Sequence, residues 1–279
     1  MTAALDDVQL VLLDLDGVLY VEDEPIAGAA EAIAALRDAG LDLRFVTNTT
    51  ARPRRRILER LQRLGFAVEP DELSTPAALA VRHCVGEGHT RVALVMNPEV
   101  KEDFAQLEEV SSGAQAVIVG DLGSAFDFAT LNLAFRQVMD GAELVALQKN
   151  RFWLTPDGLS LDVGPFVAAL EYATGRDALV VGKPARAFFD TILDGAGVGA
   201  AQAAMVGDDV ESDVGGAQAA GLAGILVRTG KYRADAVRAS GVEPTVTVDS
   251  IAAVPDLLRS PRAPRRGTPD RRSGTRRGR

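Results

Sequence analysis

Short apolar runs recur along this chain, each closed by a polar residue or a glycine and separated from the next by a stretch carrying helix signals. No other feature constrains the fold as strongly. The runs fall at residues 8–14 (VQLVLLD), 41–47 (LDLRFVT), 91–96 (RVALVM), 116–120 (AVIVG), 143–147, 152–154, 178–181 (ALVV), 203–206 (AAMV) and 224–227 (GILV). Between them lie a helix-like stretch over 28–39 closed by Gly40, and a basic helix opened by Pro53 and stopped by Gly65. A Ser74-Thr75-Pro76 cap and an amphipathic stretch over 128–139 follow. Near-continuous apolar strands alternating with helices predict an α/β architecture, with parallel sheets buried on both faces.

Charge and cysteine usage narrow the function classes. The net charge is −9, yet residues 259–279 carry nine arginines against Asp270. That tail has no Leu, Ile, Val or aromatic residue, cannot bury a core, and is expected to be disordered. The acidic remainder argues against nucleic acid as the main partner. One cysteine, Cys84, excludes an intrachain disulfide framework and a Cys-based zinc site. The first residues lack a basic region followed by a long apolar run, and no stretch approaches the ~20 apolar residues of a membrane span. A cytoplasmic protein without a membrane partner is the expectation.

Four polar segments follow predicted strands: Asp14-Leu15-Asp16-Gly17, Thr47-Asn48, Gly182-Lys183-Pro184, and Gly207-Asp208-Asp209 with Asp213 beyond. In open α/β sheets ligands bind outside the carboxyl ends of the strands, so segments distant in sequence can converge on one crevice. Asp14 and Asp16 lie two apart, with Gly17 free to turn sharply after them. Carboxylates crowded in a turn repel unless a cation or proton is shared. Asp208 adds another, giving an all-oxygen set suited to Mg²⁺. Thr47 offers a hydroxyl and Lys183 a positive charge, both useful on phosphoryl oxygens. Each piece alone has an ordinary reading: Asp16 as a turn former, Gly-Asp-Asp as a loop, Lys183 facing solvent. Together and in this order they make the parts list of phosphoryl transfer. His83 and His89 lack a partner set and read as surface or core residues.

These segments resemble the four motifs of the haloacid dehalogenase superfamily: residues 14–18 the first, Thr47 the second, Lys183 the third and residues 207–213 the fourth. The long stretch between the second and third is similar to the α/β cap of the NagD-like subgroup. A closer likeness, to a branch that includes phosphatases of phosphoamidates and pyrophosphate, rests on residues 161–166, 180–184, 213–218 and 227–231. One member of that branch has Ser two residues after its nucleophile, where this chain has Asp16.

The resemblance implies a Rossmann-like core over 1–78 and 179–258, an inserted C2-type cap over 79–178, and a tail at 259–279 outside the family. It implies a Mg²⁺-dependent phosphatase acting on a small phosphorylated substrate, with Asp14 as nucleophile and Asp16 as general acid and base. Metal would be held by Asp14, the Asp16 carbonyl and Asp208, with Asp209 and Asp213 orienting them. Thr47, the Asn48 backbone and Lys183 would hold the phosphoryl group. Asn97, Asn150, Arg151, Trp153 and the turn at 162–165 are the candidate specificity residues of the cap, through which a homodimer is a further expectation. A signalling receiver, which also phosphorylates an Asp, is the reading from another class. The Asp-x-Asp-Gly turn, the large insert and the late Gly-Asp-Asp segment weigh against it.

Overall fold

The computed structural model describes residues 5–155 and 158–258. The basic tail at 259–279 therefore lies outside the described residues. The chain forms two parallel sheets. The first has six strands in the order Val246–Val248, Ala223–Val227, Ala203–Gly207, Leu10–Asp14, Asp42–Val46, Leu73–Ser74. The second has five, in the order Leu179–Val180, Glu143–Ala146, Ala116–Val119, Arg91–Val95, Glu108–Glu109. Every neighbouring pair in both is parallel.

Alternation along the central strand explains how the layers stack. Val11 and Leu13 point to one face, packing with Ile33 and Leu36 of the helix Ala29–Asp38 and Ile57 and Leu61 of the helix Arg54–Arg63. Leu10 and Leu12 point to the other, joining Phe188, Phe189 and Ile192 of the helix Arg186–Ala196. That second apolar mass continues through Ala80 and Cys84 of the helix Pro76–Gly86 to Val92, Ile118 and Val145 of the second sheet, so one core lies between the sheets. The far face of the second sheet is covered by the helices Phe128–Met139 and Gly164–Thr174. Both sheets are thus buried on both sides, which is why their strands read as unbroken apolar runs.

Helix starts follow the expected chemistry. Thr75 caps the helix Pro76–Gly86 by accepting from Ala78 N–H at 3.2 Å, with Pro76 in the first turn. Asp127 does the same for Phe128–Met139 through Thr130 N–H at 2.8 Å. One strand departs from expectation. The run before Lys183, read as part of the core segment 179–258, contributes Leu179–Val180 to the edge of the second sheet, beside Glu143–Ala146. Val181 N–H still donates to Ala146 O, and only at Gly182 does the chain leave that sheet. An apolar run does not state which of two sheets will take it up, since either sheet's unpaired edge can accept a strand.

Among the described residues no helix is long and apolar enough to cross a membrane.

Candidate active site

Asp14 ends the central strand, Thr47 follows the neighbouring strand Asp42–Val46, and Asp208 follows Ala203–Gly207 on the other side. Parallel pairing brings these three strand ends to one edge of the sheet. Lys183 arrives from the second sheet, and its Nζ donates to Asp14 Oδ1 at 2.7 Å. The same Nζ lies 2.7 Å from Asp213 Oδ1. Asp14, Asp208 and Asp213 each offer an oxygen within 4.8 Å of the others.

All of this is buried: Asp14 is 7% exposed, Asp208 and Lys183 2%, and Asp213 1%. Three carboxylates against one ammonium leave a net negative charge out of water. Burial is the main force pushing Asp14 above the ordinary carboxylate range. Lys183 opposes it and Asp208 adds to it. Asp208 is pushed up to about 6, by burial first and then by Asp213, against the pull of the Lys231 N–H and of the Lys231 and Lys183 charges. Asp213 also rises to about 6, through burial and the Asp14 charge, despite Lys183. Burial draws Lys183 down, yet the Asp14 and Asp213 carboxylates more than offset it and hold it charged.

The donor set fits a hard dication. Asp208 Oδ1 is buried without a hydrogen-bond partner, while Oδ2 accepts from Lys231 N–H at 2.7 Å. A free buried oxygen beside two other carboxylates, all oxygen donors, matches what Mg²⁺ requires.

Glycines make room for this packing. A Cβ on Gly17, whose φ is +80°, would fall 1.9 Å from Asp208 Oδ2, and one on Gly230 would fall 2.0 Å from the same atom. Thr229 Oγ1 donates to Gly17 O, tying the loop at 229–231 to the turn after Asp14. Sequence reasoning did not place that loop in the site. The available signal was its position directly after the strand Ala223–Val227, the same rule that picked out the other four segments.

The remaining candidates have distinct placements. Asp16, two residues after Asp14, is exposed, with Tyr20 Oη 3.4 Å from its Oδ2. Thr47 Oγ1 accepts from Thr49 N–H at 3.1 Å, which leaves its own proton to donate. Asn48 uses its side chain: Oδ1 accepts from Lys183 N–H and Nδ2 donates to Lys183 O, both at 2.8 Å. The Asp209 carboxylate caps the following helical turn through Glu211 and Ser212 N–H, and its own N–H donates to Asp213 Oδ2 at 3.2 Å. Its hydrogen bond into the cluster is the one to Asp213.

Among the cap candidates, Asn97 caps the helical turn Pro98–Phe104 through Glu99 N–H. Asp162 accepts from Gln148 Nε2 and Val163 N–H. Asn150 and Arg151 are exposed, the Arg151 guanidinium 5.6 Å from the centre of the Phe152 ring. Trp153 lies in the strand Phe152–Thr155, its side chain outside those described. His83 and His89 both reach Glu143 Oε2, at 2.8 and 3.2 Å, and pin the helix Pro76–Gly86 and the loop after it to the second sheet.

Comparison with known proteins agrees with this geometry. The family model "Haloacid dehalogenase-like hydrolase" matches residues 11–108, and a second model, described as HAD-hydrolase-like, matches residues 180–254. Human haloacid dehalogenase-like hydrolase domain-containing protein 2 is 42% identical over 256 residues, spanning 92% of this chain and 98% of its own. Human phospholysine phosphohistidine inorganic pyrophosphate phosphatase is 40% identical over 260 residues, with 91% and 95% covered. Among solved structures, p-nitrophenyl phosphatase from Archaeoglobus fulgidus superposes with a TM-score of 0.84 at 28% identity, over 90% of this chain and all of that one. A glycerol phosphate phosphatase from Mycobacterium tuberculosis in complex with magnesium superposes with a TM-score of 0.77 at 30% identity, over 92% and 80%.

Proposed function

The chain belongs to the haloacid dehalogenase-like hydrolases and is a phosphatase of that family; from the geometry of its site we propose that it hydrolyses a phosphate monoester of a small molecule by way of an Asp14 aspartyl phosphate, with Mg²⁺ as cofactor. The observation that carries this reading is the buried cluster of Asp14, Asp208 and Asp213 around one ammonium, Lys183, at the carboxyl edge of the sheet.

Asp14, the backbone carbonyl of Asp16 and Asp208 would hold the ion. When bound, it neutralises the buried carboxylates and the charge on the phosphoryl oxygens. A carboxylate oxygen of Asp14 forms the new bond to phosphorus while the bond to the leaving oxygen breaks. Asp16, whose side chain is exposed, protonates that oxygen, and as carboxylate it then takes a proton from the water that attacks phosphorus. The second attack breaks the Asp14–phosphorus bond, releases inorganic phosphate and restores both carboxyl groups. The Thr47 hydroxyl and the Lys183 ammonium donate to the transferring oxygens.

An acid in the role given to Asp16 would favour esters, whose alkoxide needs a proton. The relative named for phosphoamidates and pyrophosphate makes those compounds the second class to test. The insert supplies discrimination, through exposed groups such as Asn150 and Arg151.

The test is phosphate release from a panel of monoesters, pyrophosphate and phosphoamidates, with and without Mg²⁺. Asp14→Asn should abolish turnover on every member, because an amide cannot replace the attacking carboxylate. Asp16→Asn should slow turnover by about 10²–10⁴-fold, most with poor leaving groups. Turnover by Asp14→Asn at the wild-type rate would sink the mechanism, and an Asp16→Asn rate unchanged with both a good and a poor leaving group would remove Asp16 from its role.

A further inference from the structure

Lysine carries its charge on a long, rotatable stem, so an ammonium is placed only as well as the backbone beneath it. Lys183 has little local support of that kind. It follows Gly182 directly after the chain leaves the second sheet, and among the described residues the backbone bond that closes its loop is Ala185 N–H to Gly182 O at 3.0 Å. Its peptide groups are taken instead by a side chain 135 residues away. Asn48 Oδ1 accepts from Lys183 N–H and Asn48 Nδ2 donates to Lys183 O, both at 2.8 Å. A carboxamide is the one uncharged side-chain group that presents an acceptor and a donor side by side for such a pair. The packing is built around it: a Cβ on Gly182 would meet Asn48 Oδ1 at 3.0 Å and Leu147 O at 2.4 Å. The amide is thus seated where the end of the core strand Asp42–Val46, the lysine loop and the end of the insert strand Glu143–Ala146 meet.

We propose that the side chain of Asn48 is a positioning residue for the reaction: by gripping both peptide groups of Lys183 it fixes that lysine's ammonium between Asp14 and Asp213, where the phosphoryl group is received. The role belongs to the amide side chain and is separate from any contact its backbone makes with substrate. It rests on the phosphoryl-transfer reading above, since Lys183 has a phosphoryl group to receive only under that reading.

The test is a double-substitution cycle in the full chain: Asn48→Ala, Lys183→Gln and the two combined. Each is read by kcat/KM on a phosphate ester and by calorimetric binding of orthovanadate with Mg²⁺ present. An Asn48 side chain that works through Lys183 lowers both quantities about 10-fold in the wild-type background. It lowers them less than about 2-fold once Lys183 is glutamine, because the group being positioned is gone. Equal losses in the two backgrounds, or no loss in either, would overturn the proposal. A side chain needed only for folding gives equal losses and a lowered melting temperature in both. Where Asn48→Ala fails to fold, Asn48→Asp carries the same expectation. It keeps the volume and the acceptor for Lys183 N–H, and sets an oxygen against Lys183 O in place of the donor. A wild-type chain that neither turns over esters nor binds vanadate would overturn the phosphoryl-transfer reading, and this proposal with it. A wild-type chain that does both, with additive losses, would overturn this proposal alone.

Discussion

The two sheets share one architecture and use their strand ends in opposite ways. Each is parallel, buried on both faces, and ends its strands in polar residues where such folds place ligands. In the insert those residues serve their own loops. Asn97 Oδ1 accepts from Glu99 N–H, Asp121 Oδ1 from Gly123 N–H at 2.8 Å, and Gln148 Oε1 from Asn150 N–H, with Gln148 Nε2 reaching no farther than Asp162 of the same insert. In the core they bond far along the chain: Asp14 to Lys183, Asn48 to Lys183, Asp208 to Lys231. Position at a strand end is therefore not what makes a site. An acceptor oxygen spent on its own turn is not free for a cation, whereas groups held across long sequence distances can face one another with oxygens to spare, as Asp208 Oδ1 does; Thr47, whose oxygen accepts locally, offers its proton instead.

The largest effect expected from this contrast is at Asp208. Asp208→Ala should lower activity on every substrate together and raise the Mg²⁺ requirement. The loss should exceed the roughly 10–100-fold that follows removal of a group merely supporting a metal ligand. Arg151→Ala, in the insert, should shift relative efficiencies among substrates at an unchanged Mg²⁺ requirement. A substrate panel run across a Mg²⁺ titration decides. A substrate-selective loss from Asp208→Ala would erase the distinction between the two regions.

A smaller effect should appear in stability, because only the core concentrates buried acid. Asp208 and Asp213 are pushed from 3.8 up to about 6. An acid whose pKa is higher in the folded state binds its proton more tightly there. Its contribution to stability is fully present below pH 3.8 and is lost as pH rises through about 6. Metal-free protein should therefore lose stability across that window. Saturating Mg²⁺, which favours the ionised carboxylates, should stabilise more as pH rises. Thermal midpoints in EDTA and in Mg²⁺ give the comparison, in which contributions from distant groups cancel. Parallel curves would show that these acids do not carry the burden assigned to them.

The same contrast explains what the sequence disclosed. Asp14, Lys183 and Asp208 were legible because each closes an apolar run with a charge, and Asp213 because it lies five residues beyond Asp208 in the same segment. The alternating architecture was legible for a related reason, since strands buried on both faces leave little room for polar interruption. What escaped depends on pairing across distance. Nothing in residues 178–181 says which sheet will claim them. Nothing near Asn48 announces a partner 135 positions later. The strand Glu108–Glu109 is two exposed acids at a sheet edge, visible only through its ladder to Arg91–Val95. The loop at 229–231 joins the site through the Lys231 backbone amide on Asp208 and the Thr229 hydroxyl on Gly17 O, contacts that residue type alone does not disclose.

The smallest expected effect tests the insert side of the comparison directly. Asp121 occupies, at the end of Ala116–Val119, the place that Asp208 holds near the end of Ala203–Gly207. Its Oδ1 accepts from Gly123 N–H, two residues on, while its backbone carbonyl accepts from Asn97 N–H at 2.7 Å. The side chain thus closes one local turn, and the peptide, which any residue supplies, ties two strand ends together. Asp121→Ala should cost one side-chain hydrogen bond, about 0.5–1.5 kcal/mol of stability. It should leave kcat/KM and the Mg²⁺ requirement where they were, since no group of the core cluster bonds to that carboxylate. Denaturant unfolding with activity on the same samples measures both. A loss of turnover comparable to that of Asp208→Ala, at nearly wild-type stability, would mean that the insert's strand ends take part in the chemistry.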